Sequence, residues 1–246
     1  MSDLHKEIEE TINDIERYLM QEQDLFGNII PAPEAKGKSK SPGVGQVSGL
    51  DEPWTSSTTL VDLDEQICSC LKCGLGHTRT NFVFGVGNPN ADVMFIGEAP
   101  GADEDMQGEP FVGRAGQLLN KIIEAVQLKR EEVYICNILK CRPPGNRDPQ
   151  PTEMETCTPY LMKQIDLIKP KFIICLGRIS AQWLLQTTAG LSALRGTVHD
   201  FQDAKLIVTY HPAALLRNPN WKRPAWEDMK MFRQLYDAER GLKKND

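Results

Sequence analysis

Long apolar runs, a leader-like segment and an even number of cysteines are all missing from this 246-residue chain. Without the first, no stretch is expected to cross a bilayer. Without the other two, a framework of structural disulfides is not expected, and a cytoplasmic protein is. No internal repeat is visible. Histidine is scarce, with four in the whole chain. Positive charge is in deficit as well, at a formal net of −6, which argues against a polyanionic partner until it is divided along the chain.

The deficit belongs to one end. Residues 1–65 carry a net −9 and residues 66–246 a net +3. The larger part is therefore mildly basic, which gives weak support for phosphate contact because local patches matter more than totals. At 40% hydrophobic and 25% charged residues, the chain holds one sizeable globular domain plus appendages. Three regions separate. In residues 1–26, Leu4, Ile8, Ile12, Ile15 and Leu19 recur at spacings of three and four, which predicts an amphipathic helix over 3–20. Residues 27–62, rich in Gly, Pro, Ser and Thr, read as a flexible linker. Over 63–246 the pattern becomes α/β. Strands are expected at 92–97, 132–138, 171–176 and 205–210, and helices near 114–127, 152–168, 178–187 and 225–241. That alternation argues for a mostly parallel sheet covered on both faces.

The most informative stretch follows the first of these strands. Between Asp92-Val-Met-Phe-Ile-Gly97 and a helix-like run from Gly113 lies a loop with Gly97, Gly101 and Gly108, two prolines, five acidic residues and Phe111. Glycines let backbone amides approach a ligand, and loops at the carboxyl ends of buried strands are where open α/β sheets bind ligands. A glycine-rich strand-to-helix turn is also common in α/β proteins of every function, so the loop marks a site without naming it.

The cysteines narrow the field. Cys70 and Cys73 form a C-x-x-C pair, and Cys141 and Cys157 follow with fifteen residues between them. Four thiolates from two separated places suit a tetrahedral zinc site or a [4Fe–4S] cluster, and spacing does not choose between them. Cys136 and Cys175 sit inside apolar runs and read as small buried residues. Cys68 is either an idle neighbour or the true ligand in place of Cys70.

The motifs then stand in a telling order: Gly97-Glu-Ala-Pro-Gly101 with Glu104-Asp105, Gly108-Glu-Pro-Phe-Val-Gly113, Asn137-Ile-Leu-Lys-Cys141-Arg-Pro-Pro-Gly-Asn146-Arg147, and His211-Pro-Ala-Ala-Leu-Leu-Arg217. With the cysteine spacing, this set resembles the family 4 uracil-DNA glycosylases, the iron–sulfur branch of the uracil-DNA glycosylase superfamily, over roughly residues 67–242. Any one motif is weak and the set is strong. The resemblance implies a three-layer α/β/α sandwich around a short, mostly parallel four-stranded sheet. It also implies a [4Fe–4S] cluster on Cys70, Cys73, Cys141 and Cys157, preferred over zinc on family grounds and structural in role, since hydrolysis needs no electron.

Cleaving uracil from deoxyribose requires a flipped base, a pocket that reads its edge and a means of stabilising the departing anion. The resemblance places the stacking platform at Phe111, whose bland alternative is a core aromatic. It places the reader at Asn137, because an amide can donate to O4 and accept from N3–H at once; a strand-ending Asn is equally a turn-former. His211, after the strand Lys205–Tyr210, is placed to donate to uracil O2 as charge develops. In the best-known branch an Asp follows the position of Glu98, and here that place is Ala99. The carboxylate must then come from elsewhere: Glu98 and Glu104 are the candidates, with Glu98 ahead for water. Asn146 matches a further family position that supports the pocket or the backbone. No lysine is placed for a Schiff base, so a monofunctional enzyme that leaves an abasic site is expected.

DNA handling falls to Leu215, Leu216 and Arg217, as wedge and phosphate contact, unless both leucines are simply buried at a helix start. Arg142 and Arg147, bracketed by Cys141 and Cys157, would meet the DNA backbone. Two rival readings come from other classes: a protein that captures uracil-containing DNA without turnover, and a metal-containing nucleic-acid-binding or assembly factor with a dead pocket. The branch that bonds covalently to DNA carries a reactive His near the region of Arg142–Asp148, and none stands here. Glu98, Glu104, Phe111, Asn137 and His211 together argue against the dead pocket. Finally, Gln21-Glu-Gln-Asp-Leu-Phe26 looks like the short sliding-clamp-binding peptides of bacterial repair and replication proteins. Leu25 and Phe26 would be its anchors, although Glu22 stands where Gln is preferred; otherwise the two finish the helix.

Overall fold

Four apolar runs become the middle of one sheet. The computed structural model describes residues 52–241. Its elements are α1 (Leu60–Ile67), β1 (Val86–Gly87), β2 (Val93–Gly97), α2 (Ala102–Gln107), α3 (Arg114–Ala125), β3 (Tyr134–Asn137), α4 (Pro151–Ile168), β4 (Phe172–Leu176), α5 (Arg178–Leu185), α6 (Leu191–Leu194), β5 (Val198–Phe201), β6 (Ala204–Thr209), α7 (Pro212–Arg217) and α8 (Lys222–Glu239), with short 3₁₀ turns between some of them. The expected helix over 3–20, the clamp-like peptide 21–26 and most of the expected linker lie outside the described residues.

The sheet has six strands in the order β1-β3-β2-β4-β6-β5. The central four, β3, β2, β4 and β6, are parallel, and they are the four expected. Each is buried along nearly its whole length, which is why it reads as continuous apolar sequence. Alternate residues feed two cores. Met94, Ile96, Tyr134, Cys136, Ile173, Cys175, Leu206 and Val208 face the side covered by α1, α4 and α5. Val93, Phe95, Ile135, Ile174 and Ile207 face the side covered by α3 and α8. Helices on both faces give the three-layer sandwich.

The sheet is thus six-stranded and not four-stranded. The two additional strands are antiparallel edges, β1 against β3 and β5 against β6. β1 is only two residues long. β5, Val-His-Asp-Phe, is largely solvent-facing and carries no apolar run. Short or polar strands are what sheet edges use to avoid pairing with other chains, and the same features hide them from a search for buried strands.

Residues 52–62, expected in the linker, are structured. Thr59 caps α1 by accepting from the Asp62 N–H. Trp54 meets Tyr160 of α4 edge-on, with ring centroids 5.0 Å apart, and Lys163 donates to the Thr55 carbonyl at 2.8 Å. The Ser-Thr-Thr composition that reads as linker is here a helix cap. Cys136 and Cys175 are fully buried, as expected.

Candidate active site

The chain runs from β2 to β3 on one side and then crosses back to β4 on the other, so the loops after β2 and β4 diverge. Open α/β sheets bind ligands at the carboxyl ends of strands around such a reversal. Four chain segments meet there: Gly97 ends β2, Asn137 ends β3, Gly177 follows β4, and His211 follows β6 by one residue.

At the centre is Asn137. Its side chain is buried, and its Oδ1 has no hydrogen-bond partner. A buried amide oxygen without a partner is costly, about 1–3 kcal/mol, so this atom awaits a donor. Beside it Gly97 leaves a gap. A Cβ there would run into Asn137 Oδ1 and come within 2.7 Å of the Phe111 ring, so Gly97 is what allows the amide and the ring to share one cleft.

Phe111 is 5% exposed and packs at the edge of the α3-side core. Its backbone takes a left-handed φ of 54°, a conformation uncommon outside glycine and worth a look when it occurs. The loop that imposes it is tied by Glu104. One carboxylate oxygen accepts from the Val112 and Gly113 N–H groups at 3.0 and 3.1 Å, and the other from the Gly101 N–H at 3.1 Å. Both oxygens are therefore engaged with the backbone on either side of Phe111. Of the two candidate carboxylates, Glu104 holds the loop.

Glu98 is the other. It leaves β2 with its carbonyl held by the Leu139 N–H at 3.0 Å, and it is half-buried. Burial raises its pKa to about 7, Asp148 adds to the rise, and Arg178 opposes it. Arg178 and Asp148 face each other at 3.8 Å. A carboxylate poised near neutrality is suited to proton handling at physiological pH. Ala99, the place without an Asp, is partly buried against the α4-side core.

His211 caps α7. Its Nδ1 accepts from the Ala213 N–H at 3.2 Å, so the ring proton resides on Nε2, which is left to donate. Burial lowers its pKa to about 4, with Arg217 contributing; the imidazole is neutral at physiological pH. Its ring lies 5.5 Å from that of Phe111, tilted by 33°. At Gly177, whose φ is 100°, a Cβ would come within 3.1 Å of His211 Cβ, so glycine leaves the histidine its place. Phe111, the unsatisfied amide of Asn137 and the neutral imidazole of His211 thus lie together at the carboxyl ends of the strands.

The comparisons with known proteins bear on the same residues. The family model described as "Uracil DNA glycosylase superfamily" matches residues 84–230, a span that includes Gly97, Phe111, Asn137 and His211. The chain belongs to the uracil-DNA glycosylase superfamily. It is similar to the type-4 uracil-DNA glycosylase of Archaeoglobus fulgidus, 46% identical over 186 residues that cover 72% of this chain and 93% of that protein. It is 46% identical to the Sulfurisphaera tokodaii protein of that name, over 72% of this chain and 84% of the relative. The type-4 enzyme of Thermotoga maritima is 40% identical over 76% of this chain and 99% of its own length.

Within this superfamily fold the other expected residues divide. Leu215 is 2% exposed and belongs to the interior, whereas Leu216 is 37% exposed and Arg217 faces solvent. Of the paired leucines only Leu216 is presented to solvent. Asn146 is exposed and accepts from Arg142 Nε at 2.8 Å; it orients that arginine at the surface and does not line the cleft. Arg147 is forked onto Glu153 by two bonds of 2.9 and 2.6 Å, and Glu153 also accepts from the Gln150 N–H to cap α4. Its guanidinium serves the helix start while remaining exposed.

Sequence reasoning passed over Lys140. It is fully buried and donates from Nζ to the Asn137 carbonyl at 2.8 Å and to Gln164 Oε1 at 2.6 Å. It braces the backbone at Asn137. A lysine between two apolar residues and a cysteine carries no sequence signal for such a role.

The four cysteines are free thiols. Among the described residues, no three His, Cys, Asp or Glu side chains are gathered so as to hold a metal ion. The thiols nonetheless lie within electrostatic reach of one another: Cys70 and Cys73 act on Cys141, and Cys141 and Cys73 act on Cys157. Burial, foremost, pushes the Cys157 thiol up to about 12. Donors point at three of the sulfurs: Tyr160 Oη at 3.2 Å from Cys70, Arg79 Nη1 at 3.2 Å from Cys141, and the Lys140 N–H at 3.4 Å from Cys157. Cys68 is exposed, and its thiol bonds to the Glu65 carbonyl at 3.6 Å, so Cys70 and not Cys68 makes the contact with α4.

No helix among the described residues is long and apolar enough to cross a membrane.

Proposed function

We propose that this protein is a DNA repair glycosylase that flips uracil out of DNA and hydrolyses its N-glycosidic bond, leaving an abasic site. The observation that carries the reading is the buried, unpartnered Oδ1 of Asn137 facing a cleft walled by Phe111 and His211. Uracil satisfies it: N3–H donates to Oδ1, the amide nitrogen donates to O4, and the ring lies on Phe111. Cytosine has an unprotonated N3 and would leave the oxygen unsatisfied. In the reaction, the N1–C1′ bond breaks with its electron pair leaving on uracil, and His211 Nε2–H donates to O2 as that charge grows. Water adds to C1′, and Glu98 takes its proton or stabilises the cationic sugar. Lys140, held by Asn137 and Gln164, is not available for a Schiff base, in keeping with a monofunctional enzyme. Leu216 would fill the gap left by the flipped base, with Arg217 and Arg142 on the backbone. Incubating uracil-containing DNA with the full chain and treating with alkali tests the reading. Strand breaks at uracil only after alkali are expected; binding without breaks would make it a capture protein.

The pH profile tests the role of Glu98. If it acts ionised, kcat/KM rises tenfold per pH unit below about 7 and levels off above, because the raised pKa leaves the group protonated in acid. Glu98→Gln should remove that limb. A wild-type profile flat from pH 5 to 8 would exclude Glu98 as the titrating group.

A [4Fe–4S] cluster on Cys70, Cys73, Cys141 and Cys157 is the cofactor we propose. The donors aimed at three of the sulfurs suit thiolates, and the cluster is preferred over zinc on family grounds. The cluster would supply structural bracing between the C-x-x-C turn and α4. Anaerobically purified protein should contain iron and acid-labile sulfide; zinc alone would overturn the assignment. The peptide Gln21–Phe26, outside the described residues, is proposed as a clamp-binding segment. Titrating residues 15–32 against a bacterial sliding clamp, with Leu25 and Phe26 replaced by Ala as control, tests it.

A further inference from the structure

The stretch from the end of α7 into α8 concentrates exposed apolar and cationic side chains, and beyond Leu216 and Arg217 the excision reading uses none of them. Seven large hydrophobic side chains stand exposed among the described residues, and three of them, Leu216, Trp221 and Trp226, fall within eleven positions. Exposed cations surround them: Arg217, Lys222 and Arg223. Trp221 is 39% exposed, yet it is not loosely held. Its indole stacks on Tyr210 with centroids 5.1 Å apart and planes within 13°. Tyr210 is in turn covered by the Arg195 guanidinium at 4.1 Å. Arg195 is fixed by Asp228 at 2.8 Å, whose carboxylate also accepts from Thr209 Oγ1 at 2.8 Å. This makes a column, Asp228–Arg195–Tyr210–Trp221, rooted in the interior at the end of β6 and finishing at the surface. Tyr210 immediately precedes His211, so the column starts next to the cleft.

A rigid aromatic face, backed by a second ring and ringed by cations, matches the chemistry of unpaired nucleic acid. Bases stack on aromatic side chains whatever their identity, and cations beside them take the phosphates. A protein partner with an apolar patch would meet Arg217, Lys222 and Arg223 along the stretch 216–226, which carries no carboxylate, and Glu227 just beyond it is already paired with Lys230. The complementarity favours a polyanion.

We infer that Trp221 is a stacking platform for a nucleobase of the uracil-bearing strand, one or two nucleotides from the flipped residue. This rests on the uracil-excision reading above and extends it by a second base-binding position. The position is sequence-tolerant, because stacking reads a π-face and no edge. It would hold the strand after unpairing and thereby raise the affinity for single-stranded or locally opened DNA.

The test uses the full-length holoprotein and a single-stranded oligonucleotide with one uracil. A companion series replaces each of the neighbouring nucleotides, one at a time, by an abasic analogue. For Trp221→Ala, KM on the intact oligonucleotide should rise about tenfold to a hundredfold, as the loss of one base stack implies. The single-turnover rate at saturating DNA should stay near that of the wild type, and Trp221→Phe should recover most of the affinity. The penalty should vanish on one member of the series, the one lacking the stacked base. An unchanged KM, or a penalty equal across all members, would overturn the proposal and leave Trp221 a structural residue. Failure of the wild type to excise uracil from the intact oligonucleotide would instead count against the excision reading, and Kd measured with the same variants and DNAs would still decide the stacking site.

Discussion

Asn137→Asp is expected to lower single-turnover uracil excision by about a hundredfold to a thousandfold, the scale of losing a preorganised polar contact in a water-poor site. The substitution is nearly isosteric, so the packing of the side chain beneath Gly97 is preserved. What changes is the hydrogen-bond inventory: a carboxylate has no donor for O4, and if ionised it repels the uracil anion as that forms. The buried position amplifies both effects, because the side chain is shielded from water. Affinity for uracil-free DNA should be unchanged, since Asn137 lies within the cleft and off the exposed surface. Excision at the wild-type rate would show that another group reads the base.

His211→Ala should reduce the single-turnover rate by a comparable factor while DNA affinity changes by less than about threefold, the signature of a contact that strengthens only in the transition state. The neutral state of the imidazole makes a further claim. With its pKa lowered to about 4 by burial, His211 becomes charged only in strong acid, so it adds no pH dependence between 5 and 9. The residual activity of His211→Ala should therefore keep the same acid limb as the wild type. A variant that loses that limb would identify the histidine, and not Glu98, as the titrating group.

Which parts of this structure were legible in sequence follows from how much each residue depends on distant ones. The four central strands announce themselves because burial on both faces demands unbroken apolar runs. Phe111, Asn137 and His211 were legible through motifs whose order matches a family, and the structure gathers them at one cleft. The residues whose surroundings could not be read are those whose state is set by a partner. Arg147 looks like a surface cation until Glu153, six positions on, turns it into part of a helix cap. Leu215 and Leu216 are adjacent and chemically identical, and in a helix of six residues no periodicity tells which one faces inward. Asn146 matched the family position but spends its amide oxygen on Arg142. The helix Leu60–Ile67 was masked by Ser and Thr residues that, together, resemble a linker and, singly, include a cap. The burial of Lys140 could not be foreseen, because it depends on Gln164 of a different helix.

The three backbone bonds to Glu104 have a kinetic consequence. A loop that had to organise itself around each arriving base would surrender conformational entropy at every encounter, roughly 1–2 kcal/mol for each residue fixed. Here Phe111 is already locked in its unusual left-handed conformation by a carboxylate that grips the chain on both sides of it. That loss was incurred once, when the chain folded. In the role proposed for Phe111, the ring is therefore ready before the base appears, and capture carries no cost of ordering this loop.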